Sequence, residues 1–126
     1  MIASRQVLLV EDEVLLAILV TEMLDELGYG VIEATTAKAA LEFAATGIGT
    51  IDAAVVDLGL PDRDGKDLVA DLRALRADLP IVVATGYDAA QTQAQFAGLP
   101  GIAIVRKPYT SEQLRAAIDS LMPGEC

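Results

Sequence analysis

One segment carries most of the structural information in this chain: I-D-A-A-V-V-D-L-G-L-P-D-R-D-G, from Ile51 to Gly65. Ala53 to Val56 is a short apolar run rich in β-branched valine, which predicts a buried strand. An acid, a glycine, a proline and a second glycine follow, and these residues favour a loop. Asp57 therefore lies where a buried strand ends, which is where parallel α/β sheets form their sites. Taken alone, this aspartate is equally typical of an ordinary loop or capping residue.

Composition restricts the classes of function. The chain has 126 residues, a 53% hydrophobic fraction and a net charge of −10, so we expect one domain with an aliphatic core. An acidic surface repels phosphate backbones and anionic lipid, so neither nucleic acid nor a membrane is an expected partner. The absence of histidine excludes Ser-His and Cys-His catalysis and imidazole zinc sites. The single cysteine, Cys126, and an N-terminus without a signal-peptide pattern favour a cytoplasmic location.

Short apolar runs alternate with helical periodicity along the whole sequence. The runs predict strands at residues 6–10, 30–33, 53–56, 81–84 and 102–105, and the periodic segments predict helices at 13–27, 36–45, 66–76, 88–98 and after Thr110. This alternation predicts an α/β fold, a doubly wound, five-stranded parallel sheet of order 2-1-3-4-5 in a single domain.

The predicted buried faces come from spacing alone. The first helix has its expected core stripe at Leu16, Leu19, Val20, Met23, Leu24 and Leu27, and the third at Leu68, Val69, Leu72 and Leu75. The helix at 88–98 is the weakest prediction. Its apolar anchors are only Ala90, Ala94, Phe96 and Ala97, and the polar residues Gln91, Thr92, Gln93 and Gln95 offer little packing.

The predicted strand order brings several polar residues together at one edge of the sheet. These residues are Glu11, Asp12, Asp57, Thr85 and Lys107. Three converging carboxylates repel one another, and Mg²⁺, which prefers oxygen ligands, relieves that repulsion. Asp57 is then a candidate nucleophile for a phosphoryl group, with Lys107 and Thr85 contacting phosphoryl oxygens.

Each of these residues also has a plain structural interpretation. The acids at 11–13 suit a helix N-terminus, Thr85 suits a turn beside Gly86, and Lys107 could be an ordinary solvated lysine. The combination of all of them at the ends of the expected strands favours a site.

The chain resembles, over essentially its whole length, the CheY-like receiver domain of two-component response regulators. The matching segments are L-L-V-E-D-E (8–13), V-V-D-L-G-L-P-D-R-D-G (55–65), A-T-G-Y (84–87) and R-K-P-Y (106–109). The resemblance implies phosphorylation of Asp57 and Mg²⁺ bound by Asp12, Asp57 and the main-chain carbonyl of Gly59, with Glu11 assisting directly or through water. It also implies a switch hydroxyl on Thr85, a phosphate contact from Lys107, and a phosphoryl donor that is a sensor histidine kinase or a histidine phosphotransferase.

Two features bear on the subgroup and on the switch. A-T-G-Y is similar to a subgroup nicknamed FAT GUY, although Val83 stands where that subgroup has phenylalanine. Receivers commonly carry an aromatic residue three positions before the lysine, and here that position is Ile104, which is stiff and short. Tyr87, on the loop after strand 4, is therefore the candidate switch aromatic.

The resemblance leaves several functions open. The expected one is a phosphoacceptor module at 1–126 without an output domain in this chain, acting through protein contacts, through dimerisation or as a phosphate sink. The alternative is a receiver cut from a hybrid histidine kinase, although Met1 and the short tail favour a stand-alone protein. A phosphatase is disfavoured because it would need a second acid where Gly59 stands. A degenerate receiver that only binds partners is disfavoured because it would have lost a site residue, and none is lost here.

A partner contact is expected on the first helix. Leu15 and Ile18 lie off the predicted core stripe and close to the acidic residues, so they are candidates for docking a phosphohistidine-bearing helix. The alternative is that this pair merely widens the buried stripe.

Overall fold

The sheet has the predicted architecture. The computed structural model describes residues 5–86 and 89–122. Five strands pair in parallel in the order β2-β1-β3-β4-β5. They are β1 (Gln6–Val10), β2 (Gly30–Ala34), β3 (Ala53–Asp57), β4 (Ile81–Thr85) and β5 (Ile102–Arg106). β3 and β4 are buried along their whole length, as expected for central strands covered on both faces. The predicted fold class and strand order are confirmed.

The helices agree with the sequence pattern to within a few residues. They are α1 (Val14–Glu26), α2 (Ala37–Gly47), α3 (Gly65–Leu75), α4 (Ala89–Gln95) and α5 (Ser111–Leu121), with a 3₁₀ turn at Ile48–Thr50. Thr110 and Gln113 form the predicted capping box at the start of α5. Gly28 follows α1 with φ of +93°, a conformation that favours glycine after a helix end.

Aliphatic side chains fill both faces of the sheet. One cluster lies between the sheet and helices α2 and α3, with the ring of Phe96 completing it beside α4. The other cluster lies between the sheet and helices α1 and α5 and includes Tyr109. The loops at the carboxyl edge of the sheet therefore follow strands that are packed on both faces by apolar side chains.

Three predicted buried faces were wrong in detail. Leu19 is 48% exposed while Ala17 is buried, because residues 14–20 of α1 are apolar all round and their spacing does not select a face. Leu75 is 50% exposed, because the buried face of α3 ends at Leu72 and the chain returns to the core only at Leu79. On α4 the predicted anchor Phe96 is buried, but the expected alanine anchors at 90, 94 and 97 are exposed, and the side chain of Thr92 is buried in their place.

None of the helices in the described ranges combines the length and apolar character that crossing a membrane requires.

Arg73 of α3 fastens the segments that lead into β4 and β5. Its Nε donates a hydrogen bond to the carbonyl of Leu79 at 2.8 Å. Its Nη2 donates to the carbonyls of Pro100 at 2.7 Å and Gly101 at 3.0 Å. One side chain thus satisfies three main-chain acceptors from two loops, which fixes both loops at the amino edge of the sheet.

We therefore expect Arg73→Met to destabilise the fold. The substitution keeps most of the aliphatic stem but leaves three carbonyls without their charged donor, so the free energy of unfolding should fall by about 2 kcal/mol. Urea unfolding followed by circular dichroism measures this loss.

Arg115→Met is the matched control. Arg115 pairs only with exposed Glu112 and Asp119 on its own helix in the described contacts, so its loss should change the free energy of unfolding by less than about 0.5 kcal/mol. Equal effects of the two substitutions would contradict the role given to Arg73.

Candidate functional site

The carboxyl ends of four strands converge on one site. Glu11 follows β1, Asp57 ends β3, Thr85 ends β4, and Lys107 follows β5. The parallel register places Asp57 beside Ala84, one residue before Thr85. The amide of Lys107 donates to the carbonyl of Thr85 at 2.8 Å, which extends the β4–β5 ladder by one step and fixes the start of the lysine side chain.

Three acids lie close enough together to share a cation. Glu11, Asp12 and Asp57 each offer a carboxylate oxygen, and these oxygens lie within 4.8 Å of one another. Glu11 is 3% exposed and Asp57 is 5% exposed, whereas Asp12 is half-buried. Burial raises the pKa of Glu11 above its ordinary value, and the negative charge of Asp57 adds to this shift. The cluster is therefore a set of hard oxygen donors in which three acids outnumber the one neighbouring lysine, Lys107, and this suits a divalent cation such as Mg²⁺.

Lys107 supplies the positive charge in the cluster. Its Nζ lies 2.8 Å from Oδ1 of Asp57 and 3.5 Å from Oε1 of Glu11, and its side chain is 20% exposed. Burial alone would lower the pKa of Lys107, but the hydrogen bond and charge of Asp57, together with Glu11, raise it above its ordinary value. The lysine therefore stays protonated and directed at the carboxylate of Asp57.

The loop after β3 holds Asp57 and packs tightly against the start of α3. The amide of Gly59 donates to Oδ1 of Asp57 at 3.2 Å. A Cβ added to Gly65 would approach the Cα of Leu58 to 2.6 Å and the carbonyl oxygen of Asp57 to 3.0 Å. Only glycine permits this close approach, which explains why Gly65 stands at the end of the loop.

Asp62 anchors the other side of the same loop, and the sequence interpretation missed it. Its carboxylate accepts hydrogen bonds from the amides of Ala37 and Lys38, both at 3.0 Å, at the first turn of α2. These hydrogen bonds hold the pKa of Asp62 below its ordinary value. Asp62 therefore caps a helix that begins 25 residues earlier and limits the motion of the loop that carries Gly59.

Thr85 is buried and contacts a second threonine. Thr85 is 1% exposed and Thr92 is 2% exposed. The Thr92 hydroxyl donates to the Thr85 hydroxyl at 3.2 Å, which joins α4 to the end of β4. The sequence pattern predicts that Thr92 packs little, and this prediction is wrong. The one available signal was its spacing of four residues from Phe96, which places both on one helical face.

The remaining candidates are distributed around this centre. Leu15 is 84% exposed and Ile18 is 51% exposed, so the pair does not widen the buried stripe of α1. Ile104 is half-buried on β5 and packs against the core. Tyr87 lies outside the described residues, and its assignment stays a prediction.

Tyr109 is a further aromatic neighbour of the site. It is 9% exposed and packs in the cluster between the sheet, α1 and α5. Burial raises the pKa of its phenol above the ordinary value, and the charges of Glu11 and Asp57 add to the shift. The phenol therefore stays neutral beside the acids.

The sequence is similar to a known protein family. Residues 7–119 match the family model of the response regulator receiver domain. Transcriptional regulatory protein PhoP of Escherichia coli strain K12 is 34% identical over 117 residues, a match covering 93% of this chain and 52% of that protein. The virulence transcriptional regulatory protein PhoP of Shigella flexneri is 33% identical over the same shares. The chain thus spans about half the length of the curated relatives it matches.

Solved structures have the same fold. A response regulator receiver protein from Sinorhizobium medicae superposes with a TM-score of 0.83 at 28% identity, covering 94% of each chain. A response regulator from Burkholderia pseudomallei, described with a phosphorylated aspartic acid, a calcium ion and citrate, gives a TM-score of 0.80 at 29% identity. That match covers 90% of this chain and 66% of the other. With the family model matching almost all of its length, and with the acids, threonine and lysine gathered at one edge of the sheet, this chain belongs to the response regulator receiver domain family.

Proposed function

We propose that this receiver domain accepts a phosphoryl group on Asp57 from a phosphohistidine of a partner protein. The observation that carries the proposal is the 2.8 Å pairing of Lys107 with Asp57 inside the cluster formed with Glu11 and Asp12. A buried carboxylate with a fixed cation beside it is suited to becoming an acyl phosphate, because the cation can then pair with the added charge.

The bond made and the bond broken in the transfer involve only Asp57 and the donor. A carboxylate oxygen of Asp57 attacks phosphorus, forming a P–O bond as the P–N bond of the phosphohistidine breaks. The electron pair of that bond leaves with the donor's imidazole nitrogen. Lys107, already within 2.8 Å of the nucleophile, then pairs with one phosphoryl oxygen, and the Thr85 hydroxyl donates to another.

The acids of the site fit a bound Mg²⁺. Asp12 and Asp57 would ligate it with their carboxylates, Gly59 with its main-chain carbonyl, and Glu11 directly or through water. When bound, the ion neutralises negative charge that develops on the transferred group. Glu11 and Asp12, which follow β1, hold their positions through the amide of Glu11, which donates to the carbonyl of Ala34 at 3.0 Å.

The chain acts as a signalling module that is phosphorylated and loses its phosphoryl group, without turning over an external substrate. Gly59 stands two residues after the nucleophile, where a phosphatase of the dehalogenase type needs an acid–base group. The output runs through protein contacts, with dimerisation and a phosphate sink as alternatives. The other alternative is that the chain is a receiver cut from a hybrid histidine kinase. The A-T-G-Y run supports membership of the FAT GUY subgroup, with Tyr87 as the switch aromatic.

The donor, a sensor histidine kinase or histidine phosphotransferase, would dock on α1. Val14, Leu15, Ile18 and Leu19 are 67%, 84%, 51% and 48% exposed and form an apolar patch. The patch begins immediately after the acids of the site, so a phosphohistidine on a helix packed there can reach Asp57.

Asp57→Asn should abolish phosphorylation and leave the fold intact. Asparagine keeps an oxygen that accepts from Lys107 and Gly59 but removes one of three mutually repelling charges. Incubation with acetyl phosphate and Mg²⁺ followed by intact mass spectrometry should show no phosphoryl gain, and the melting temperature in metal-free buffer should be equal to or above that of the wild type. The control Asp67→Asn, at an exposed position on α3, should be phosphorylated normally. A phosphorylated Asp57→Asn protein would refute the site assignment.

Mg²⁺ should stabilise the folded protein through the acidic cluster. At ten times its dissociation constant, a ligand that binds only the folded state adds about 1.4 kcal/mol. Thermal unfolding with increasing MgCl₂ should show this effect in the wild type and lose most of it in Asp12→Ala. Glu13→Ala removes an exposed acid one residue away and should keep the full effect. Equal Mg²⁺ dependence of both variants would count against the cluster as the metal site.

Leu15→Ser combined with Ile18→Ser should slow phosphotransfer from a phosphohistidine protein by roughly tenfold, because two central apolar contacts are lost. Phosphorylation by acetyl phosphate should be unchanged, since that donor needs no docking surface. Leu75→Ser combined with Leu99→Ser removes two exposed leucines elsewhere, at 50% and 48% exposure, and should affect neither donor. Equal slowing with both donors in the α1 variant would show a folding defect instead of a docking defect.

A further inference from the structure

The hydrogen bond between Thr92 and Thr85 takes no part in the proposed bond-making and bond-breaking steps of phosphoryl transfer. It joins two hydroxyls that are almost completely buried, one at the end of β4 and one on α4. A buried hydroxyl is costly unless it is hydrogen-bonded, so the side chains stabilise each other's position. Of the residues of α4 whose side chains are described, Thr92 alone is buried, with Phe96 following the helix end.

The direction of this hydrogen bond matters for the site. A hydroxyl has one proton to donate and two lone pairs that accept. The two hydroxyl oxygens lie 3.2 Å apart. When Thr85 gives its proton to a phosphoryl oxygen on Asp57, Thr92 must be the donor in this pair, and it then occupies a lone pair of the Thr85 oxygen. Chained hydroxyls also polarise one another, so the accepting member becomes a stronger donor.

We propose that Thr92 is a positioning residue that orients the Thr85 hydroxyl for donation to the phosphoryl group on Asp57 and thereby couples α4 to the phosphorylation state. This inference rests on the proposed function, because it requires a phosphoryl group on Asp57. Thr92 itself touches no reacting atom and acts only through Thr85.

The surroundings of α4 suit such a coupling. The helix spans only Ala89–Gln95, and a groove of about 520 Å³ separates it from the loop after β3. Leu58, Gly59 and Asp64 line one side of the groove, and Gln91, Thr92 and Gln95 line the other. A short helix with little buried surface and open space beside it can shift when the contact between Thr92 and Thr85 changes. Ile104 is shorter and stiffer than the aromatic residue that receivers commonly carry at this position, and the contact between Thr92 and Thr85 provides a route through α4 that needs no aromatic residue on β5.

Four variants test the inference: Thr92→Val, Thr92→Ser, Thr85→Val, and the double variant with valine at both positions. Rates of phosphorylation by acetyl phosphate with saturating Mg²⁺ are followed by intact mass, and thermal unfolding of each unphosphorylated protein is measured alongside. Thr92→Val keeps the branched shape but loses the donor, and should slow phosphorylation about fivefold, the value of one ordinary hydrogen bond. Thr92→Ser should recover most of the rate.

The double variant separates positioning from simple packing. If Thr92 acts only through Thr85, adding Thr92→Val to Thr85→Val should slow the reaction no further, whereas independent effects would multiply. Gln93→Ala, an exposed change on α4, should match the wild type. Hydrogen exchange of residues 86–98 with and without beryllofluoride should differ in the wild type and converge in Thr92→Val.

Three results would overturn the inference. They are a Thr92→Val rate equal to the wild-type rate, a Thr92→Ser rate as slow as that of Thr92→Val, and multiplicative effects in the double variant. In each case the wild type would still be phosphorylated, so the proposed function would stand. A wild type that takes up no phosphoryl group would instead overturn both.

Discussion

The ion pair between Lys107 and Asp57 is the interaction on which the rest of the site depends. Lys107 lies 2.8 Å from Asp57 and 3.5 Å from Glu11, two carboxylates that are almost fully buried. Asp57 and Glu11 raise the pKa of Lys107, so its ammonium group stays charged. It can therefore pair with the negative charge of a phosphoryl group added to Asp57. Even with this lysine, the acids remain in excess, and this excess accounts for the expected affinity for a divalent cation.

The fold positions these charged groups through hydrogen bonds to the main chain around them. The parallel register brings the ends of β1, β3, β4 and β5 to one edge, and the hydrogen bond from the amide of Lys107 to Thr85 extends the ladder into the site. Gly65 lets α3 begin against the end of β3, while Asp62 ties the intervening loop to the first turn of α2. On the β4–α4 side, Thr92 joins the helix to Thr85. Among the residues of α4 whose side chains are described, only Thr92 is buried, so this helix has less packing to hold it than the loop after β3 has.

The strands, the sheet order and the helices were predicted from local sequence patterns. The strands are continuous apolar runs between loop residues, so the sheet, its order and the gathering of Asp57, Thr85 and Lys107 followed from spacing. The buried face of α1 did not follow, because V-L-L-A-I-L-V is apolar on every side and tertiary packing chose Ala17 over Leu19. Asp62 was missed because the amides it accepts from lie 25 and 24 residues earlier in the chain, and no periodic pattern signals such a contact. Thr92 was missed because its partner is a hydroxyl at the end of β4, and only its spacing from Phe96 indicated a buried face.

The central claim is that the carboxylate of Asp57, and no neighbouring acid, carries the phosphoryl group. Reductive trapping tests it most directly, because borohydride cleaves an acyl phosphate to the alcohol and releases phosphate. The protein is incubated with acetyl phosphate and Mg²⁺, reduced, digested and sequenced by mass spectrometry. The account predicts homoserine at position 57 alone, and only when both reagents are present. Trapping at Asp12 or Asp64, or an unmodified position 57 in protein that has gained a phosphoryl group, would contradict it.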